Sequence, residues 1–321
     1  MSFVISLVVI LLFIALAVFI QYLVRSKSKT IPTALLSVAM ITSDWNLEPS
    51  STNATIKCGG NTPIGLIKSA LEDFSKDIIK EQRLFFYTGD KTSPTKTVMS
   101  KMFDKDQGLL KYFDPANIFF AVGGEFWQKE KVSELWTQSL VDNGIYTPVG
   151  VTDIFWQCGY YKKHLPNSTI DIICFNSIMY SIVDGHKGCD NCECQDKQIT
   201  QLKKDLDNLS PNRTVYILTH YPIDSDGVAY NRFIWDKIGV KYQNIVSGIF
   251  TSYTRTPLAS LNQWKSKAGI SNTWNIPSIF VDDTSSYIRV EFPLNTPLVL
   301  SQTDAKKVNC SEIKTSRVKW V

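Results

Sequence analysis

Apolar residues run from Phe3 to Val24, interrupted only by Ser6 and Gln21. About twenty such residues cross the apolar core of a bilayer as a helix, so this run predicts a membrane anchor over residues 1–24. A cleaved signal peptide is the alternative reading. It would place basic residues before a shorter run and end on a small-residue cleavage site. Here no Lys or Arg precedes the run, and Arg25, Lys27 and Lys29 follow it. Beyond a polar linker at 25–34 the pattern changes. Short β-rich runs alternate with segments of helical spacing, which predicts a layered α/β domain over 35–295 and leaves 296–321 as a C-terminal extension.

Leu35 to Ile41 reads as a buried strand. Thr62-Pro63 reads as a helix start with Pro in the first helical position, followed by apolar residues at Ile64, Ile67, Leu71, Phe74 and Ile78. Leu84–Tyr87 and Ile118–Val122 are further strands. Tyr160-Tyr161 and Ile170–Cys174 form two arms of a hairpin turned by Pro166-Asn167-Ser168. Ile199, Leu202, Leu206 and Leu209 mark a second helix. Val215–Leu218, then Ile245-Val246 ending in Ser247-Gly248, then Ser278–Val281 and Tyr287–Phe292 complete the strand series. Strand after strand ends in a polar or glycine loop, and in α/β sheets ligands gather at that edge.

Charge narrows the partners. The net formal charge is +4 with dispersed basic residues, so no nucleic-acid stripe is present and no nucleic-acid binding is expected. The three basic residues after the apolar run favour a cytosolic domain by the positive-inside rule. Sequons at Asn53, Asn167, Asn208, Asn212 and Asn309 point the other way. Seven cysteines suit an oxidising compartment, though cytosolic proteins also carry them. His186, Cys189, Cys192 and Cys194 offer zinc-ligand types in one short segment, but their spacing favours a disulfide-stapled loop. Cys158 and Cys174 flank the hairpin as a candidate cross-strand pair.

The loops Ser43-Asp44-x-Asn46-x-Glu48-Pro49, Thr88-Gly89-Asp90, Gly123-Gly124-Glu125, Thr219-His220-Tyr221-Pro222 and Ser247-Gly248-Ile249-Phe250-Thr251 occur in the order in which calcineurin-like metallophosphoesterases carry their metal-site motifs. Cys58-Gly59-Gly60, Gly159-Tyr160-Tyr161, Phe175-Asn176-Ser177, Gln198 and Pro277-Ser278-Ile279 make the chain resemble the acid sphingomyelinase-like branch, from about Leu36 to Phe292. The resemblance implies a four-layered α/β sandwich and a lumenal or extracellular domain. It also implies chemistry in which two divalent metals acidify a bridging water and clamp phosphate oxygens.

The same resemblance exposes departures. Asp44, Asp90 and His220 match metal ligands, with Asn46 in place of a paired His. Gly124, Ile249 and Thr251 stand at ligand positions, and Glu125 stands where the family carries its catalytic His. The remaining set offers at most one weakly held divalent ion (zinc, manganese or iron), unless Glu48 and Glu125 compensate. The expected function is therefore that of a membrane-anchored acid sphingomyelinase-like phosphoesterase homologue, a catalytically degenerate pseudoenzyme used for binding or scaffolding, with a protein or lipid as its ligand. The alternatives are an active divergent phosphodiesterase and a surface interaction protein with no small-molecule site.

Overall fold

The computed structural model describes residues 37–42, 47–48, 62–76, 78–89, 95–122, 130–148, 153–180, 193–221, 241–242, 245–252, 263–266, 269–275, 285–292 and 304–308, all within the unit Ser37–Val321. The expected anchor over Phe3–Val24 and the strand expected at Ser278–Val281 lie outside these. Among the described residues no helix is long and apolar enough to cross a membrane.

In chain order the strands are β1 (Ser37–Thr42), β2 (Leu47–Glu48), β3 (Thr62–Pro63), β4 (Arg83–Tyr87), β5 (Ile118–Phe120), β6 (Tyr161–His164), β7 (Ile170–Cys174), β8 (Thr214–Leu218), β9 (Val246–Thr251), β10 (Gln263–Ser266), β11 (Gly269–Asn275), β12 (Ser285–Phe292) and β13 (Asp304–Val308). The α-helices are α1 (Ile64–Ser75), α2 (Lys96–Met102), α3 (Leu109–Tyr112), α4 (Glu130–Asp142), α5 (Asp153–Cys158) and α6 (Glu193–Asp207). One sheet has the order β13-β12-β1-β4-β5, with β1, β4 and β5 parallel. The other has the order β10-β11-β9-β8-β7-β6, with β7, β8, β9 and β11 parallel.

Alternation along the strands assigns the faces. On β4, Phe85 and Tyr87 meet Phe120 of β5, and Phe85 and Phe120 meet Phe113, Phe103 and Trp136 from the α1–α4 region. Their face is therefore the helix-covered one. Phe86, one residue out of phase, packs on Phe119 at 5.1 Å and on Phe250 of the second sheet at 6.2 Å. Phe250 in turn stacks on Tyr216 of β8. Aromatic rings thus fill the seam between the sheets, each fully buried one contributing about 1.5–3 kcal/mol. On the far side of the second sheet Tyr160 and Lys162 reach Asp205 of α6. The layers run helices, sheet, sheet, helix.

Two expectations are corrected. Pro63 lies opposite Glu48 in the short β2–β3 ladder, and α1 begins at Ile64. β9 does not stop at Ser247-Gly248 but continues through Thr251. Past residue 295, β13 pairs antiparallel with β12 at the edge of the first sheet.

Candidate functional site

The parallel strands of both sheets deliver their C-terminal ends to one place. Thr88, directly after β4, donates its backbone N–H to the Thr42 carbonyl at the end of β1, 3.0 Å away. The next residue, Gly89, has φ of 102°, a left-handed conformation that costs glycine little. It turns the chain as β4 ends. Directly after β5, the Ala121 N–H donates to the Tyr87 carbonyl, carrying the pairing one step further. From the second sheet, His220 follows β8 and Ser252 follows β9. His220 lies in phase with Tyr216 and Leu218, and Ser252 in phase with Phe250, so both face the seam.

Here the sheets are joined by a buried polar clasp. His220 Nδ1 lies 3.2 Å from the Thr88 carbonyl oxygen and 2.9 Å from Ser252 Oγ, and Ser252 Oγ lies 3.1 Å from the same carbonyl. The carbonyl can only accept. A bare Nδ1 lone pair would oppose it, whereas Nδ1–H satisfies it. We therefore assign the proton to Nδ1 and the Ser252 hydroxyl as a second donor to Thr88. This tautomer puts the imidazole lone pair on Nε2, the arrangement by which a backbone carbonyl orients a metal-binding or proton-accepting histidine. Thr251 Oγ1 donates to the His220 carbonyl at 3.0 Å, and the Ser252 N–H donates to it as well. Tyr221 N–H donates to Ser177 Oγ at 2.7 Å.

His220 is 2% exposed, and Ile249, Thr251 and Ser252 are fully buried. Ile249 sits inside β9 opposite Ile217 and Thr273. The residue that meets His220 at the end of β9 is Ser252, which sequence reasoning passed over. Its only sequence signal is its place after a run of apolar and small residues. Asp44, Asn46, Asp90, Gly124 and Glu125 lie outside the described residues, although the neighbouring Thr42, Thr88 and Val122 are described. Glu48 is described only as part of β2. Among the described residues, no three His, Cys, Asp or Glu side chains gather as a metal site.

The cysteines pair differently from expectation. Cys158, the last residue of α5, bridges Cys194 in the first turn of α6. Cys174 is a buried free thiol. The β6–β7 register explains this: Tyr161, not Cys158, lies across from Cys174. Burial pushes the Cys174 thiol up to about 12, so it stays protonated and unreactive at neutral pH. The other cysteines of the expected stapled loop, Cys189 and Cys192, lie outside the described residues.

No protein-family model matches this chain, and no curated protein sequence does. Among solved structures, it is similar to the calcineurin-like phosphoesterase YfkN from Bacillus subtilis, with 11% identity, 88% of this chain and 93% of that one covered, and a TM-score of 0.41. It is also similar to the NAD nucleotidase NadN of Haemophilus influenzae, with 12% identity, 89% and 59% covered, and a TM-score of 0.43. A putative 5'-nucleotidase from Staphylococcus aureus, solved with alpha-ketoglutarate, gives 10% identity, 84% and 54% covered, and a TM-score of 0.40. The chain spans little more than half the length of the two nucleotidases.

Proposed function

We propose that this chain is a calcineurin-type, sphingomyelinase-like phosphoesterase homologue that serves as a binding or scaffold module and does not turn over phosphodiesters. The observation that carries the reading is the clasp. The ends of β4, β8 and β9 converge from two sheets, as a phosphoesterase site requires, yet the residue presented by β9 is a serine. Its hydroxyl is engaged on Thr88 and His220. Zinc, manganese and iron take imidazole, carboxylate or thiolate ligands in preference to hydroxyls already held by carbonyl oxygens. The described donor set of one imidazole and three hydroxyl side chains does not fit a two-metal clamp. With Asp44 and Asp90 added, it offers one weak site.

The second reading, a divergent metal-dependent phosphodiesterase, is favoured by one detail. The Thr88 carbonyl leaves the His220 lone pair on Nε2, as a metal ligand needs. Metal content and hydrolysis of a generic phosphodiester, with Asp90→Asn as control, separate the two. Turnover abolished by that substitution selects the second.

The proposal includes a membrane anchor at Phe3–Val24, a lumenal or extracellular domain, and a protein or lipid ligand. The Cys158–Cys194 bridge supports an oxidising compartment. N-glycosidase treatment of protein from its native host is expected to increase gel mobility. An unchanged band, with protease protection placing the domain in the cytosol, rejects this topology.

A further inference from the structure

Ser177 Oγ is the acceptor for the backbone N–H of Tyr221, next to His220. Ser177 is 2% exposed and follows Asn176, which is fully buried and bonded on every polar side. Asn176 Nδ2 donates to the Cys158 carbonyl at 2.9 Å, its Oδ1 accepts from Ile178 N–H, and its backbone N–H and C=O pair with the two ends of the Gln198 amide. Gln198 sits one helical turn past Cys194 on α6, on the same face. The segment carrying Ser177 is thus gripped between Cys158 and Gln198, and the Cys158–Cys194 bridge ties those two grips together.

We propose that Ser177 is a positioning residue for the His220 loop and that the Cys158–Cys194 disulfide holds it in place, so that opening the bridge slackens the loop. A dithiol reductant opens it by attack of one thiolate on a bridge sulfur. The S–S bond breaks and the departing sulfur takes a proton. The second thiol of the reductant then releases the other cysteine, leaving two protein thiols and an oxidised reductant. This goes beyond the reading above and holds whether the clasp takes a metal, a lipid or a protein.

The test is hydrogen exchange on the full-length chain in detergent micelles, with and without dithiothreitol, alongside the Cys158→Ala/Cys194→Ala variant. Peptides covering 175–180 and 219–221 are expected to exchange about tenfold faster once the bridge is open, the loss of one or two buried hydrogen bonds. Peptides covering 83–87 and 118–120 keep their rates. With the bridge intact, Ser177→Ala is expected to speed exchange at 219–221 while leaving 193–198 unchanged. Uniform acceleration across both sheets, no change on reduction, or an unaffected 219–221 in Ser177→Ala would each overturn the proposal. None of these readouts depends on activity, so a failed metal or hydrolysis assay leaves the outcome unaltered.

Discussion

Among the described residues, two polar seams join the sheets, and they are built on opposite principles. At the outer edge β6 faces β5. Lys163 extends its amine onto three carbonyls, those of Pro115, Ile118 and Ile145, at 2.7–3.0 Å. Beside it Tyr161 Oη accepts the Phe120 N–H at 2.7 Å. When protonated, the amine has three donors, and three carbonyls stand ready to accept them. That seam is a closed set of donors and acceptors that caps strand β5, although its lysine also lines a cleft with Ile145, Tyr146 and His164. At the strand ends, by contrast, the Thr88–His220–Ser252 clasp uses one side of an imidazole for the join and puts its lone pair on the other. The clasp is buried and the lysine seam half-buried. The first engages the donors of a lysine, whereas the second fixes the tautomer of a histidine at the strand ends, which is why the functional reading rests there.

Breaking the closed seam should cost most. Lys163→Met removes three donors at once, and with unsatisfied buried groups costing about 1–3 kcal/mol each, a loss of about 3 kcal/mol or more in urea unfolding is expected. A loss below about 1 kcal/mol would erase the contrast between the seams.

The same lysine carries a pH signature. Burial pushes its amine down to about 7 from the usual 10.5. Between those values the unfolded chain binds more protons than the folded one, so this contribution grows as pH rises and is lost as pH falls through about 7. The stability gap between wild type and Lys163→Met should therefore be wider at high pH than at low pH, measured on either side of that value. A gap independent of pH would contradict the burial of the amine.

The smallest effect belongs to the clasp. Ser252→Ala removes one hydroxyl donor to Thr88 and should cost about 1 kcal/mol. Nitrogen NMR of the His220 ring should still report Nδ1–H. An Nε2–H tautomer in the wild type would contradict the assigned clasp, since Nδ1 would then face the Thr88 carbonyl without a proton.

What the sequence disclosed follows the same division. The strands β4, β7 and β8 were legible because strands buried on both faces read as continuous apolar runs, and the β6–β7 hairpin because Asn167, with φ of 55°, sits in a turn-forming trio. β9 was cut short because Ser247-Gly248 reads as a loop. In the structure Gly248 lies opposite Tyr216, beside a register shift, where a residue without a side chain leaves room for the ring. β10, β11 and β13 are too polar to register as buried runs. At the site, His220 stood out by residue type and by following a strand. Ser252 could not, because its role comes from the reach of β9 across the seam and from no local pattern. The true partner of Cys158 was hidden for a similar reason, as only the packing of α5 against α6 brings Cys194 near.

Metal content of the purified chain, measured together with hydrolysis of a generic phosphodiester in added zinc or manganese, separates a binding module from an enzyme. Well under one equivalent of tightly bound metal is expected, with turnover no higher than that of Asp90→Asn. Two equivalents of metal, with robust turnover abolished by Asp90→Asn, would contradict the binding-module reading and make the chain a working phosphodiesterase.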